Sequence, residues 1–319
     1  MIELNKTYCM DNLELLKQLE DESIDLIYCD ILYNTGKKFS DFDDRLGTPQ
    51  EAIEWYRPRL IEMKRVLKKS GNILLQCDNC LSHYLKIEMD NIFKLSNFRN
   101  EIVWVRTDGG KTIKRNMPQD LDKILWYSKS SNYTFNVVYK PLSDKTKKTY
   151  SKNDNDGRGY YSTLPLQKPS EPTKGTLYDY VDNNGKVWKC PKKGWRMVYS
   201  KLKELENDNR LVLTGKTLRE KSYWNERINE GKISNNLWDD IRNLQSNNKE
   251  ITGYDTQKPK ALLERVVKAF SNEGDVVADF FCGSGTSLVV AKELGRQYIG
   301  CDISPRAIEL ANQRLTSNI

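Results

Sequence analysis

Histidine is almost absent from this sequence, which has a single one, His83, in 319 residues. Catalysis by a Ser–His–Asp or Cys–His arrangement would have to use that residue. It lies in CLSHYLKIEMDNIF, which predicts an amphipathic helix with His83 as a packing side chain. Cysteine is also poorly arranged for zinc, because Cys77 and Cys80 form the only C-x-x-C pair. We interpret these thiols as structural and expect no metal site.

Long apolar segments are missing as well. The sequence has no N-terminal apolar segment typical of a secretory signal, and no uninterrupted apolar run of about 18 residues that would suit a membrane span. Its seven cysteines are odd in number and lack disulfide-like spacing, which is typical of a reducing compartment. We therefore expect a soluble, cytoplasmic protein with no membrane partner.

Positive charge is concentrated in the middle of the chain. The net charge is +7, but residues 107–255 alone carry 28 basic and 19 acidic residues, and the remainder is slightly acidic. A basic segment within a near-neutral framework suggests a polyanionic partner, such as a nucleic acid. The alternative is an ordinary lysine-rich surface exposed to solvent.

The C-terminal segment predicts a βαβ unit. PKALLERVVKAF predicts a helix with Pro259 in its first turn, and DVVADFF a buried strand. A glycine loop, the helix SLVVAKEL and the strand RQYIGCD follow. The last predicted helix has Ser304 as its N-cap and Pro305 as its first residue. Such alternation is typical of a doubly wound α/β sheet.

The N-terminal third alternates in the same way, with apolar strands expected where helices cover both faces of a sheet. Its longest predicted helix, EAIEWYRPRLIEMKRVL, contains Pro58, which predicts a kink or break. The middle is richer in Lys, Asn, Ser and Gly, although DKILWYSK and SNYTFNVVYK predict strands. We expect one α/β domain built from residues 1–106 and 256–319, with residues 107–255 as an inserted region.

The glycine loop DFFCGSGT, Asp279 to Thr286, follows one predicted strand, and Asp302 ends the next. The loop lacks the lysine of a phosphate-binding P-loop, and it is not G-x-G-x-x-G. An acid about 20 residues after such a loop binds ribose hydroxyls in dinucleotide folds. The pattern favours an adenosine-containing ligand without a pyrophosphate, although glycines in such turns also serve packing alone.

These motifs resemble those of amino-group DNA methyltransferases. DFFCGSGT resembles their D-P-F-x-G-S-G-T motif, and Asp30-Ile31-Leu32-Tyr33 resembles D-P-P-Y. TQKPKALLERVVKAF, NFRNEIVWVR and SNNLWDDI also look like family segments. The D-P-P-Y-like motif comes first, a variable region next and the glycine loop last, which is the order of the β class. The resemblance covers nearly the whole chain and implies a Rossmann-like, S-adenosylmethionine-dependent methyltransferase fold.

The resemblance also implies which residues bind S-adenosylmethionine. Asp302 would bind its ribose hydroxyls, although a simple strand-end acid is the alternative. Asp11 would lie near the adenine, with a helix N-cap as the alternative. Lys258 would lie near the carboxylate of the cofactor. The expected lining of its methionine end is formed by Asp279, Phe281, Gly283, Gly285 and Thr286.

The D-P-P-Y-like motif would hold the target base. An exocyclic amino group is a poor nucleophile, and an Asp30 carboxylate accepting one N–H, together with a backbone carbonyl of Ile31 or Leu32, would localise its lone pair. The Tyr33 ring would stack on the flipped-out base. Ile31 and Leu32 replace two prolines that would stiffen this loop, and Phe280 replaces the proline of the glycine-loop motif. These departures from the family motifs bear on the rate of methyl transfer more than on the fold.

The variable region would recognise the target sequence. Two clusters combine basic residues with flexible or aromatic neighbours, which suits phosphate contact and base stacking. An ordinary solvated surface is the alternative for each cluster. The expected nucleic-acid-binding residues are Lys111, Lys114 and Arg115 in the first cluster, and Lys192, Lys193, Trp195 and Arg196 in the second.

The sequence therefore predicts a site-specific DNA methyltransferase that modifies adenine N6 in double-stranded DNA. Cytosine N4 is the nearest alternative, and an aspartate at position 30 favours adenine. A DNA-binding relative with weak or no turnover is a second alternative, because of Ile31 and Leu32. An RNA or protein substrate is disfavoured by the resemblance alone. The resemblance leaves open a restriction–modification system, in which a cognate endonuclease would be a partner, and an orphan methyltransferase without one. Members of the family often form homodimers.

Overall fold

The computed structural model of the protein describes residues 2–38, 42–107, 117–213, 217–245 and 247–317. Strands and helices alternate through the first third and the last fifth of the chain, whereas the middle contains mainly short strands. The elements, in chain order, are β1 (Lys6–Cys9), α1 (Asn12–Gln18), β2 (Ile24–Asp30), α2 (Pro49–Val66), β3 (Leu67–Cys77), α3 (Ser82–Phe93), a 3-10 helix (Leu95–Asn97), β4 (Phe98–Val105), β5 (Leu121–Ser128), β6 (Tyr139–Lys140), α4 (Asp144–Lys148), β7 (Tyr161–Pro165), β8 (Tyr180–Val181), β9 (Val187–Trp188), α5 (Tyr199–Asn207), β10 (Leu211–Val212), β11 (Arg219–Tyr223), α6 (Trp224–Glu230), β12 (Lys232–Ile233), β13 (Leu237–Trp238), α7 (Lys260–Phe270), β14 (Val276–Asp279), α8 (Thr286–Glu293), β15 (Gln297–Asp302) and α9 (Pro305–Thr316).

The chain forms two compact units. One contains residues 1–138 and 233–319, and the other contains residues 139–232. The predicted inserted region, residues 107–255, was therefore drawn too wide. Strand β5 lies inside the main sheet of the first unit, and β13 lies at the edge of that sheet. The segment DKILWYSK, which contains most of β5, was predicted to be a strand, but the local sequence does not show which sheet that strand joins.

The first unit is built on a mixed sheet in the order β1-β15-β14-β2-β3-β5-β4-β13. The first five strands of this order, β1, β15, β14, β2 and β3, pair in parallel. Strand β5 runs antiparallel to both β3 and β4, and β13 is parallel to β4. This confirms the predicted doubly wound, mostly parallel α/β fold.

Both faces of the sheet are covered, which explains why its strands are almost continuously apolar. In β2, Ile27 and Cys29 pack into one core cluster, together with residues of α1, α2 and α3. Leu26 and Tyr28 point to the opposite face and pack with residues of α7, α8 and α9. The period of two along the strand therefore sends alternate side chains into two separate helical layers.

Helix boundaries follow the expected capping chemistry in most places. Ser304 caps α9 by accepting a hydrogen bond from the Ala307 amide, with Pro305 as the first residue of the helix, as predicted. Helix α2 begins at a capping box formed by Thr48 and Glu51. This helix continues through Pro58, so the predicted break is absent. The prediction that His83 packs inside was also wrong, because it lies exposed on α3.

The second unit has its own small core. Strands β10, β11 and β7 form an antiparallel sheet, and β8 pairs with β9. The predicted strand SNYTFNVVYK is reduced to Tyr139–Lys140. Within the described part of the chain, no helix combines the length and apolar character needed to cross a membrane. The buried side chains of this core are Leu166, Tyr180, Trp188, Trp195, Leu202, Leu211 and Leu218.

Candidate active site

Three acidic residues end neighbouring strands at one edge of the sheet. Asp30 is the last residue of β2, Asp279 of β14 and Asp302 of β15. From β14 the chain continues to β15, whereas from β2 it continues to β3 on the other side, so the strand order reverses between β14 and β2. Ligands of doubly wound folds bind at such a switch point. All three acids line one cavity of about 620 Å³.

The backbone of the glycine loop donates hydrogen bonds to two of these acids, Asp279 and Asp302. The Gly283 amide donates a hydrogen bond of 2.9 Å to Asp302 Oδ2, and the Phe281 amide donates one of 3.0 Å to Asp279 Oδ1. Gly283 has a φ of 49° and Gly285 a φ of 74°, in the left-handed region that glycine adopts most easily. The loop therefore turns sharply from β14 into α8. Gly283 lines the cavity, whereas Gly285, which was expected to line it as well, does not, and a Cβ at Gly285 would lie 2.7 Å from Ala311 of α9.

Asp279 is deeply buried, and its two oxygens stabilise the loop from inside. Besides the Phe281 amide, its carboxylate accepts a hydrogen bond from the Ser287 hydroxyl. Burial is the main cause that raises the pKa of Asp279 to about 7, and the two donated hydrogen bonds oppose it. Its carboxyl thus organises the loop and borders the cavity at the same time.

The cavity suits the adenosine cofactor implied by the resemblance. Its volume lies in the range usual for small-molecule sites, and it combines aromatic walls with a few convergent carboxylates. A Cβ at Gly283 would lie 2.9 Å from Tyr254, so that any side chain there would crowd the loop. Phe281 packs near Trp55 and Tyr56, with ring centroids 6.2 and 6.3 Å away. Thr286 lines the cavity, and its Oγ1 accepts a hydrogen bond from Arg314.

Asp11 is a helix N-cap, as the alternative interpretation of this residue predicted. It is the N-cap of α1 and accepts a hydrogen bond of 2.8 Å from the Leu13 amide. Its other oxygen pairs with Arg59, at 2.7 Å, and the same guanidinium lies over the Trp55 ring. Asp11 also lines the cavity, so a cap and a wall of the ligand site are compatible roles.

Asp30 has both carboxylate oxygens engaged. Oδ1 accepts a hydrogen bond of 2.7 Å from the Tyr33 hydroxyl, and Oδ2 forms an ion pair with Lys258. The ammonium of Lys258 also lies 5.6 Å from the centroid of the Tyr33 ring. The resemblance had assigned Lys258 to the carboxylate of the cofactor, whereas in this structure it neutralises the proposed catalytic acid.

A fourth carboxylate, Asp122 on β5, lies behind this group. Its Oδ2 is 3.0 Å from the Tyr33 hydroxyl and accepts a hydrogen bond of 2.9 Å from the Gln76 amide. Its Oδ1 lies 3.0 Å from Arg106 Nε, in an ion pair misaligned for a hydrogen bond. Burial raises the pKa of Asp122 above its ordinary value, while Lys258 and Arg106 lower it. Burial and the adjacent Asp30 carboxylate likewise raise the pKa of Tyr33 well above its ordinary value.

The loop after Asp30 is held by hydrogen bonds where the family has proline rings. Ile31 is buried, and its amide donates to the Gln76 carbonyl at 3.2 Å. The Leu32 carbonyl accepts a hydrogen bond of 2.8 Å from Tyr56. Further along, the buried Asp44 carboxylate accepts the backbone amides of Asn34 and Thr35. Phe280, the other departure from proline, is buried in the core and adds no polar group to the cavity.

The two predicted nucleic-acid-binding clusters have different outcomes. Lys111, Lys114 and Arg115 lie outside the described residues. In the second unit, Lys192, Lys193 and Arg196 are exposed, as phosphate contact would require. Trp195 was wrongly predicted to stack on bases. It is 2% exposed, packs in the core of its unit and donates its indole N–H to the Tyr178 carbonyl at 2.7 Å.

Several residues of the site were not identified from the sequence. Gln76 and Asp122 lie on strands, where a polar residue within an apolar run was their only signal. Tyr56 and Arg59 lie on α2, and their partners are more than 20 residues away in the chain. Only the three-dimensional pairing of β3 with β5 brings Asp122 within hydrogen-bond distance of Gln76 and Tyr33.

Comparison with known proteins identifies the family. The model of the N6-adenine and N4-cytosine DNA methylases matches residues 24–313. The chain is 32% identical to the type II methyltransferase M.EcaI of Enterobacter cloacae, over 95% of this chain and 68% of that protein. It is 28% identical to the type II methyltransferase M1.MboII of Moraxella bovis, over 98% of this chain and 96% of that protein.

A solved structure shares the fold. The cytosine-N4-specific PvuII DNA methyltransferase superposes with a TM-score of 0.55 at 16% identity, covering 99% of this chain and 91% of that chain. S-adenosylmethionine is the methyl donor of these methylases, and relatives of this chain include Mod subunits of type III restriction–modification enzymes. With its family segments, its sheet order and its cavity in agreement, this chain belongs to the N6-adenine and N4-cytosine DNA methylases.

Proposed function

We propose that this protein methylates the N6 amino group of adenine at a specific sequence in double-stranded DNA. One observation carries the proposal. Asp30 and Tyr33 stand at the end of β2 in the same cavity as the glycine loop. An amino group held by Asp30 would therefore lie within the site that holds the cofactor. Because a paired base is inaccessible inside the duplex, the target adenine has to leave the helix to enter this cavity.

Asp30 would orient the amino group and stabilise the positive charge that develops on it. The lone pair of an exocyclic nitrogen is delocalised into the ring, and two well-placed acceptors for its hydrogens favour a geometry in which the pair is available. Asp30 provides one acceptor. We assign the second to the Ile31 carbonyl, because the Leu32 carbonyl is engaged by Tyr56. No strong base is needed for this role.

Tyr33 would support the flipped-out base with its ring. Stacking on an aromatic side chain stabilises a bound base by about 1–3 kcal/mol. The hydroxyl anchors the ring to Asp30 and Asp122, which limits its rotation before DNA arrives. Since the raised pKa keeps the phenol protonated at neutral pH, the hydroxyl stays a donor to these carboxylates.

The cofactor-binding residues would surround the rest of the cavity. When bound, S-adenosylmethionine supplies an electrophilic methyl group carried on a sulfonium. We assign its ribose to Asp302 and its methionine end to Asp279 and the part of the glycine loop that lines the cavity, which includes Phe281, Gly283 and Thr286. Asp11 would border its adenosine half, whereas Lys258 would serve mainly to balance the charge of Asp30.

Within the variable region, we assign target recognition to the compact unit formed by residues 139–232. Its exposed cations include Lys192, Lys193 and Arg196, which suit contact with phosphates. Phosphate contacts fix register and affinity, whereas base edges carry the sequence information. Lys111, Lys114 and Arg115, which precede this unit in the sequence, are proposed to add further backbone contacts.

Product analysis tests the proposed function. The full-length protein would be incubated with radiolabelled S-adenosylmethionine and genomic DNA from a methylation-deficient strain, and the DNA would then be digested to nucleosides. We expect label in N6-methyladenine. Label in N4-methylcytosine would keep the family but reverse the assignment of adenine, and absence of label from bound DNA would favour a relative without turnover.

A further inference from the structure

The Tyr33 hydroxyl lies between two carboxylates but has only one proton. It is 2.7 Å from Asp30 Oδ1 and 3.0 Å from Asp122 Oδ2. A phenol donates one hydrogen bond at a time, so it serves either Asp30 or Asp122. The second carboxylate then needs compensation from other donors or cations.

Asp30 needs a free oxygen before it can accept an N–H from the target base. In this structure one oxygen is bound by Tyr33 and the other by Lys258. Each oxygen retains some acceptor capacity, but a crowded carboxylate holds an incoming amino group with poorer geometry. Moving the phenol proton away from Asp30 would open the Oδ1 position without moving the backbone of the loop.

Asp122 is built to receive that proton donor. It is fully buried, and its position is fixed on β5 by the Gln76 amide and by the cationic Arg106. Strand β5 pairs with β3 through residues 72–77, so Asp122 is carried by the rigid sheet. A small shift of the Tyr33 hydroxyl toward Asp122, together with rotation of its hydrogen, redirects the bond from one acceptor to the other.

We propose that Asp122 is a positioning residue that accepts the Tyr33 hydroxyl when the target base enters, and thereby releases an oxygen of Asp30 for the amino group. This inference rests on the proposed function and deepens it. Asp122 acts through Tyr33 and does not touch the base itself. The exchange moves one hydrogen bond and makes or breaks no covalent bond.

A double-mutant cycle distinguishes this role from a purely structural one. In Asp122→Asn, the amide oxygen is a weaker acceptor, so Tyr33 stays on Asp30. We expect the single-turnover rate of methylation to fall about tenfold, with the affinities for DNA and cofactor unchanged within about threefold. Adding Asp122→Asn to Tyr33→Phe, which has no hydroxyl to redirect, should lower the rate of that variant less than about twofold.

The matched control is Asp120→Asn, which removes a charge two residues away, where the carboxylate accepts a bond from Thr107. It should retain the wild-type rate. Equal losses from Asp122→Asn in both Tyr33 backgrounds would overturn the inference, since they would show that Asp122 merely supports the fold. The rate is read from any labelled nucleoside, so a cytosine product would refute the adenine assignment and leave the cycle interpretable.

A structure of the wild-type protein with duplex target DNA and S-adenosylhomocysteine gives a second test that needs no variant. We expect the Tyr33 hydroxyl to stay within hydrogen-bond distance of Asp122 and to move beyond about 3.5 Å from Asp30. A Tyr33 hydroxyl still bonded to Asp30 beside a bound amino group would overturn the inference. If the wild-type protein labels no DNA at all, the proposed function and this inference fail together.

Discussion

The hydroxyl of Tyr56 donates a hydrogen bond of 2.8 Å to the carbonyl oxygen of Leu32. Tyr56 lies on α2, and Leu32 stands where the family has the second proline of its D-P-P-Y motif. Proline would restrict the backbone directly by fixing φ. Here the restriction comes from a neighbouring helix, together with the hydrogen bond from the Ile31 amide to Gln76. The Ile-Leu departure is therefore compatible with a rigid catalytic loop.

Tyr56→Phe tests whether this bond replaces the proline. The variant leaves a partly buried carbonyl without this donor, so we expect unfolding to require about 1 kcal/mol less free energy. We also expect the methylation rate to fall at saturating DNA and cofactor, because the loop that places Asp30 is loosened, while the KM for cofactor stays constant. Tyr84→Phe, at an exposed tyrosine on α3, is the control. A full rate in Tyr56→Phe would show that the loop is held by other contacts.

The strand-end acids and the glycine loop could be predicted from sequence because their relationship is local to each βα unit. Asp30, Asp279 and Asp302 each follow an apolar run, and the ends of parallel strands meet at one edge of the sheet. The capping of α9 by Ser304 was likewise a local signal. These features needed no knowledge of which strands become neighbours.

Other features depended on long-range packing and were missed or misread. Asp122 reaches the site only because β5 pairs with β3, and a single acid in a predicted strand does not reveal that partner. Trp195 lies between basic residues in the sequence, but its indole is buried, whereas the side chains of Lys193 and Arg196 are exposed. Composition could identify the cluster, whereas burial of the aromatic ring depended on the core of the unit.

Asp279 predicts a dependence of stability on pH. Its pKa rises from 3.8 to about 7 in the folded protein, so the folded state binds a proton more readily than the unfolded state between these values. Stability from this group is therefore greatest below about pH 4 and is lost as the pH rises toward 7. The full difference corresponds to about 4 kcal/mol. Denaturant unfolding at pH 5 and pH 8 covers about two of the three pH units between these pKa values, so we expect a difference of about 3 kcal/mol from this group.

Asp279→Asn isolates this contribution, because other buried acids also titrate in that range. Asparagine can still accept the Phe281 amide, and it carries no titratable proton. We expect the variant to lose less stability than the wild-type protein when the pH rises from 5 to 8. Parallel stability profiles for the two proteins would contradict the assignment of the raised pKa to Asp279.

The exposed cations of the second unit predict a salt-dependent contribution to DNA binding. Reversing the charges of Lys192, Lys193 and Arg196 to glutamate should weaken binding to duplex DNA. Each lost phosphate contact reduces the slope of log affinity against log salt by about 0.9. The control, with the same change in charge, replaces Lys145, Lys147 and Lys148 on α4. An unchanged salt slope in the first variant would remove that cluster from the DNA interface.

The role of Asp30 is the central claim, and comparing methyl transfer with cofactor binding in Asp30→Ala tests it most directly. Both would be measured on the same preparation, by incorporation of label into DNA and by calorimetry with S-adenosylmethionine. We predict that transfer falls at least about 100-fold, since an acceptor aimed at developing charge is lost, while the Kd for cofactor changes little. Retained transfer, or loss of cofactor binding together with transfer, would contradict the account.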